Sequence, residues 1–233
     1  VKTATKLPRK LLLWDIDGTI LHTGKAGETA LGRAMENLHG MNRGLQGLEI
    51  AGRTDKWIVE QLLGREGKGN GAEEIARFLD VYVELLAEEL PLRNGGLHPG
   101  VLGILEAAHL RPELVQALLT GNIEKGARLK LTRYGVNHFF EFGAFADDSS
   151  IRNELGPHAK RRAMEHHGEE FPSERIFVIG DTPHDVACAR AIGAKAIAVA
   201  TGSFTKRQLK DCGADAVFTD LAHPEAFFKL LDL

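Results

Sequence analysis

Short apolar runs recur along this chain, with helical patterns between most of them, and this alternation constrains the fold more than any other feature. The runs are Leu11–Trp14, Leu114–Leu119, Gly143–Ala146, Ile176–Ile179, Ala196–Ala200 and Ala216–Phe218. Each is bounded by Gly, Asp, Thr or Pro, and none alternates apolar with polar residues. A strand buried on both faces has that signature. From the second run onward, helical patterns intervene at Asn122–Arg133, Pro157–His167, Pro183–Ile192 and Phe204–Asp211. Strands that alternate with helices pair in parallel, and the crossovers cover both faces of the sheet.

The interval from Leu21 to Gly100 breaks the rhythm. It shows no strand pattern, but carries helical stripes at Ala26–Leu38, Asp55–Leu63 and Glu73–Leu90. An insert of roughly 75 residues is too long for an ordinary crossover. The expected division is therefore a core from 1–21 and 97–233, with an all-helical domain, 22–96, inserted after the first strand. Glycines place the hinges at Leu21–Lys25 and Asn94–Gly100, and Pro99 opens a helix, Gly100–His109, that returns to the core. A chain of 233 residues that is 43% hydrophobic can bury such a core, which excludes global disorder.

The balance of charge and apolar residues narrows the partners. Lys and Arg number 29 against 32 Asp and Glu, a net charge of −3, so no nucleic-acid partner is expected. No apolar run approaches the roughly 20 residues that span a bilayer, so no membrane partner is expected. Val1–Lys10 is basic, but the apolar stretch after it, Leu11–Trp14, is too short for a signal peptide or anchor. Cys188 and Cys212 make no disulfide framework and fit a reducing compartment. A cytoplasmic protein is the expectation.

Three polar clusters follow three of the strands. The first run ends in Asp15-Ile16-Asp17-Gly18-Thr19. Residues i and i+2 of a strand share a face, so both carboxylates leave its C-terminal end together, where ligands of open parallel sheets bind. Alone, the motif is also compatible with an acidic turn. The second run ends in Thr120-Gly121-Asn122. A hydroxyl and free N–H groups at a helix start suit a phosphate, although in isolation the motif reads better as an N-cap, Thr120 or Asn122. The fourth run ends in Gly180-Asp181-Thr182-Pro183-His184-Asp185, with Thr182 as N-cap and Pro183 as first helical residue. An acidic helix start accounts for Asp185, but not for Asp181 at the strand end. If the strands are neighbours, Asp15, Asp17 and Asp181 converge and repel unless a hard cation such as Mg²⁺ joins them.

The order of these motifs, with a helical insert after the first, resembles the haloacid dehalogenase superfamily across essentially the whole chain. The resemblance implies a Rossmann-like α/β core with an inserted helical cap. It implies Asp15 as nucleophile, Asp17 as acid/base, and Thr120 as a hydrogen-bond donor to the transferring phosphoryl group. Gly121 and Asn122 fall with the substrate-binding residues. Mg²⁺ is implied as the cofactor, held by Asp15, the Asp17 carbonyl and Asp181, with Asp185 orienting that shell.

One element departs from the family pattern. A lysine in a Lys-Pro context normally lies between the second and third motifs. Here Arg152 stands near the right place, while Lys160 falls inside a helix and reads as solvated charge. Arg53 in the cap is the candidate contact for a substrate's distal anion, or else a first-turn partner of Asp55 or Glu28. The implied activity is Mg²⁺-dependent phosphomonoester hydrolysis of a small phosphorylated metabolite, similar to phosphoglycolate phosphatase, by a monomer or homodimer. A β-phosphoglucomutase-like transferase is the alternative. A dehalogenase and a non-enzymatic phospho-acceptor or binding protein fit less well.

Overall fold

The structure, a computed structural model, describes residues 9–41, 45–69 and 71–233, so residues 1–8 of the basic N-terminal stretch fall outside it. Its strands are β1 (Lys10–Trp14), β2 (Leu21–His22), β3 (Gly96–Leu97), β4 (Leu114–Leu119), β5 (Gly143–Ala144), β6 (Ile176–Gly180), β7 (Lys195–Val199) and β8 (Ala216–Phe218). Its helices are α1 (Ala26–His39), α2 (Asp55–Arg65), α3 (Ala72–Glu89), α4 (Val101–His109), α5 (Glu124–Arg133), α6 (Leu155–His167), α7 (Pro183–Ala191), α8 (Lys206–Asp211) and α9 (Pro224–Leu230). Six strands form a parallel sheet in the order β5-β4-β1-β6-β7-β8. The expected placement of β4 and β6 on either side of β1 is thus what the sheet adopts.

The continuous apolar runs follow from burial on both faces. Leu12 and Trp14 point into a cluster with residues of α4, α5 and α9, whereas Leu11 and Leu13 point into another with α6 and α7. The two-residue period of a strand therefore delivers alternate side chains to two separate cores, and neither face can be polar.

Between β2 and β3 the chain is helical and has its own core. Ala30, Leu31 and Met35 of α1 pack with Ile58 and Leu62 of α2 and with Phe78, Leu86 and Tyr82 of α3. Ile123 and Ala146, from the loops at the ends of β4 and β5, join the same cluster. The insert is thus seated on the sheet's C-terminal edge. Glu89 ties its ends together, accepting from Arg33 at 2.9 Å and from Arg93 at 2.6 Å.

Several expectations need correction. The interval after β1 does contain strands: Leu21–His22 and Gly96–Leu97 pair as an antiparallel ribbon at the two expected hinges. Two-residue strands carry no periodicity, so only pairing reveals them. The third apolar run pairs only at Gly143–Ala144, because Ala146 turns to donate to the Asn122 carbonyl at 2.9 Å. Helix α5 starts at Glu124 instead of Asn122, since Ile123 is extended, with φ −67° and ψ 150°. Helix α6 starts at Leu155, ahead of Pro157, and the proline is accommodated in the first turn where its missing N–H costs nothing. Helix α8 starts after Thr205, whose hydroxyl caps the Gln208 N–H and leaves Phe204 outside. Among the described residues, no helix is long and apolar enough to cross a membrane.

Candidate active site

The three polar clusters meet at the C-terminal edge of β4, β1 and β6. Asp15 directly follows β1, and its N–H donates to Ile179 O of β6 at 2.9 Å, so the neighbouring strand fixes the residue's position. After Asp17 the chain turns sharply: Gly18 N donates to Leu21 O at 2.9 Å, with Gly18 at φ +83°. Only glycine adopts that conformation without strain. A Cβ there would also lie 2.3 Å from Asp181 Oδ2. The loop can lie against Asp181 only because position 18 has no side chain.

Three buried carboxylates, from Asp15, Asp181 and Asp185, bring oxygen atoms within 4.8 Å of one another. Burial pushes the Asp15 carboxyl up to about 6, against the opposing pull of Arg152. Burial, then Asp185 and Asp15, raise Asp181 well above the usual carboxylate range. Arg152 relieves part of this repulsion. Its Nη2 donates to Asp15 Oδ1 at 2.9 Å and also to Asp185 Oδ1. Burial alone would lower its pKa, but Asp185 and Asp15 hold it above the ordinary arginine value. The Cys188 thiol, pushed up to about 11 by burial, donates to the Arg152 carbonyl from behind.

The other oxygen of Asp185 is engaged as well. Oδ2 accepts from the Thr182 N–H at 3.0 Å and from its hydroxyl at 2.8 Å, the reciprocal cap expected for Thr182 and Pro183. Asp181 has no comparable support: Thr19 Oγ1 donates to its Oδ1 at 3.1 Å. Asp181 is therefore the buried carboxylate left most in need of a cation.

Neither Thr120 nor Asn122 caps helix α5. The orphan N–H groups there are taken by distant carboxylates: Ile123 N by Asp55 at 2.8 Å, and Glu124 N by Asp147 at 2.6 Å. Both side chains are released for the site. Asn122 Nδ2 donates to Thr120 Oγ1 at 2.8 Å and to Asp17 Oδ2 at 2.8 Å. Gly121 lies beneath the insert, where a Cβ would fall 2.1 Å from Arg53 O and 2.9 Å from Arg152 Nη1.

The insert closes the site through the start of α2. Asp55 N donates to Gly121 O at 2.7 Å, and Thr54 Oγ1 donates to Ser150 O at 2.7 Å. Arg53 stacks its guanidinium 4.3 Å from the Trp57 ring centre instead of pairing with Asp55 or Glu28. Its Nε is buried and has no hydrogen-bond partner among the described residues. A cavity of about 260 Å³ remains, lined by Asp15, Asp17, Arg152 and Asp181 below and by Arg53, Ile58 and Tyr82 above.

Sequence reasoning missed Lys130. Its ammonium donates to Asp17 Oδ2 and to Asn122 Oδ1, at 2.6 Å each. The signal was present: Lys130 lies on the apolar stripe of α5 with Ile123, Ala127 and Leu131, where a solvated lysine does not belong. Lys160 bonds Ser173 at 3.4 Å, outside the cavity lining.

Residues 12–190 match the haloacid dehalogenase-like hydrolase family. The chain belongs to that family. It is 24% identical over 223 residues to a phosphoglycolate phosphatase of Rhodospirillum rubrum, a match covering 91% of this chain and 88% of the relative. With phosphoglycolate phosphatase 1 of Pseudomonas aeruginosa it shares 26% identity over 202 residues, covering 85% and 72%. Among solved structures, CbbY of Rhodobacter sphaeroides in complex with phosphate superimposes with a TM-score of 0.74 at 18% identity, covering 92% of this chain and 96% of that one. A putative β-phosphoglucomutase of Bacteroides vulgatus superimposes with a TM-score of 0.68 at 21% identity, covering 98% and 90%. These structures share the fold of this hydrolase.

Proposed function

We propose that this hydrolase cleaves small anionic phosphomonoesters through an aspartyl phosphate on Asp15, with Mg²⁺ as cofactor. The observation that carries the reading is the convergence of Asp15, Asp17, Asn122, Arg152 and Asp181 from four separate segments on one covered cavity. A purely structural acidic cluster needs no cavity beside it, and no amide and guanidinium bonded to its carboxylates at that cavity.

The donor set fits Mg²⁺. All the candidate ligands are hard oxygens, and Asp181 is buried without a cation of its own. Asp15, Asp181 and the Asp17 carbonyl would hold the ion, with Asp185 fixing the shell through Arg152 and Thr182. When bound, it supplies positive charge that offsets repulsion between Asp15 and the phosphoryl oxygens.

The residues then divide the work. The free oxygen of Asp15 attacks phosphorus, and the P–O bond to the leaving alkoxide breaks. Asp17 gives its proton to that alkoxide. Thr120, the backbone N–H groups around Gly121 and the Arg152 guanidinium stabilise charge on the transferring group. Asp17, now ionised, takes a proton from water as the water attacks the aspartyl phosphate; inorganic phosphate leaves and Asp15 is regenerated. The covering insert limits bulk water while this happens.

The modest cavity and the unpartnered Arg53 favour a short substrate with a second anionic group, as the phosphoglycolate phosphatases among the relatives take by name. Phosphate release from a panel of short phosphoesters, with Mg²⁺ and with chelator, tests the reading. Acid-quenched mass spectrometry should map a phosphoryl adduct to Asp15 in the wild type and none in Asp15→Asn. Arg53→Ala should raise KM for carboxylate-bearing phosphoesters about tenfold or more, and for an aryl phosphate far less. Release of a sugar bisphosphate from a hexose phosphate would replace hydrolysis by phosphotransfer.

A further inference from the structure

A third cation of the cavity, Lys130, has no assigned part in this chemistry. Its ammonium and the Asn122 amide both donate to one oxygen of Asp17, Oδ2, at 2.6 and 2.8 Å, while the Asn122 carbonyl accepts from Lys130 at 2.6 Å. The three groups close a ring. Two donors on Oδ2 leave Oδ1 as the Asp17 oxygen without a partner among the described residues, and Asp17 lines the cavity. A proton carried by Asp17 is therefore confined to the oxygen that can reach a substrate, because the other has no lone pair to spare for it in this arrangement.

The insert roofs this clamp. A Cβ built on Gly27 of α1 would lie 3.8 Å from Lys130 Nζ and 3.7 Å from the Tyr82 hydroxyl of α3. Asp55, from the first turn of α2, is near enough for the Lys130 charge to act on its carboxyl. Residues of the insert thus lie near the ammonium, whose side chain is 5% exposed. A lysine this deep is costly unless its hydrogen bonds are made, and the bonds it makes go to Asp17 and Asn122.

We propose, resting on the reading of the site given above, that Lys130 is the positioning residue for Asp17. It holds the carboxyl with Oδ1 toward the leaving oxygen, beneath the insert. The proton that reaches the alkoxide is the one on Asp17.

A leaving-group comparison tests this on the intact protein. An alkyl phosphate needs a proton on its leaving oxygen, whereas 4-nitrophenolate departs without one. In Lys130→Met, kcat on an alkyl phosphate should fall by about 10²-fold or more, with KM within about twofold. The first-turnover burst of 4-nitrophenol should stay within about fivefold of wild type. The adduct on Asp15 should then persist, since its hydrolysis also needs Asp17. Lys130→Gln, which keeps an N–H in the pocket, is measured alongside so that a folded variant reports even if Met is not tolerated. Equal losses on both substrates overturn the proposal, as does a rise in KM with kcat intact. If the wild type itself forms no adduct on Asp15, the reading of the site falls and the proposal with it. An adduct in the wild type with unchanged Lys130 variants overturns the proposal alone.

Discussion

At the scale of single residues, Arg152 is the departure with the clearest physical content. A guanidinium bonds two carboxylates in one plane, here Asp15 and Asp185, which a lysine ammonium does with less directional support. That geometry lets one cation hold both Asp15 and Asp185, which braces the neighbouring loop. Removing it strands two buried carboxylates, so Arg152→Ala should cost about 3–5 kcal/mol of stability in chelator. Adding Asp185→Asn in the same chain should recover part of that loss, because one of the stranded charges is then gone. Chemical denaturation of the single and double variants checks both statements. Equal stability of Arg152→Ala and wild type would mean that the pair of bonds contributes nothing net.

At the scale of elements, the start of α2 is what couples the insert to the sheet. Thr54 spends its hydroxyl twice, accepting from Trp57 N at 3.1 Å and donating to Ser150 O at 2.7 Å. Asp55 both donates to and accepts from the loop after β4. Burial pushes the Asp55 carboxyl up to about 6, more than Lys130 and the Ile123 N–H pull it down. The sign follows from linkage. A carboxyl whose folded pKa lies above its unfolded value near 4 favours folding when protonated, so its contribution is full below pH 4 and lost as pH rises through 6. The loss is on the order of 3 kcal/mol between those limits. Asp15 shifts in the same direction, so the diagnostic is a difference: Asp55→Asn should be less pH-sensitive than wild type between pH 4 and 7. Denaturation midpoints at several pH values measure it, and parallel curves for the two proteins would contradict the assignment.

At the scale of the whole molecule, the site is made by three sheet strands and a separately packed helical insert, so a ligand at the junction should stabilise both. Mg²⁺ at 100 times its Kd adds about 2.7 kcal/mol to the folded state. For a chain of this size that is a rise in Tm of about 5–10 °C. Asp181→Asn should abolish most of the rise while leaving the metal-free Tm equal or higher, since a buried unpaired charge has been removed. Differential scanning calorimetry with Mg²⁺ and with chelator decides. An undiminished Mg²⁺ response in Asp181→Asn would place the cation elsewhere.

Much of this architecture was already present in local patterns. Short apolar runs without alternation, bounded by Gly, Asp, Thr or Pro, such as Ile176–Ile179, read as strands buried on both faces, and the carboxylates of Asp15 and Asp17 leave the same end of one such strand by the two-residue period alone. Thr182 and Pro183 announce a helix start through the bonds that one turn of backbone leaves unmade. These are short-range effects, set by neighbours within a few residues. The rest depended on segments far apart in the chain. The ribbon of Leu21–His22 with Gly96–Leu97 exists only as a pairing, so neither strand shows a pattern alone. Thr120 and Asn122 look like helix caps until Asp55 and Asp147 arrive from elsewhere to take those N–H groups. The position of Lys130 on the apolar stripe of its helix marks it as buried, but its partner shows only when the fold brings it to a carboxylate 113 positions away in the chain. A hydrogen bond or ion pair between such distant groups has no local signature, because its free energy appears only when packing has excluded the water that would otherwise serve both partners.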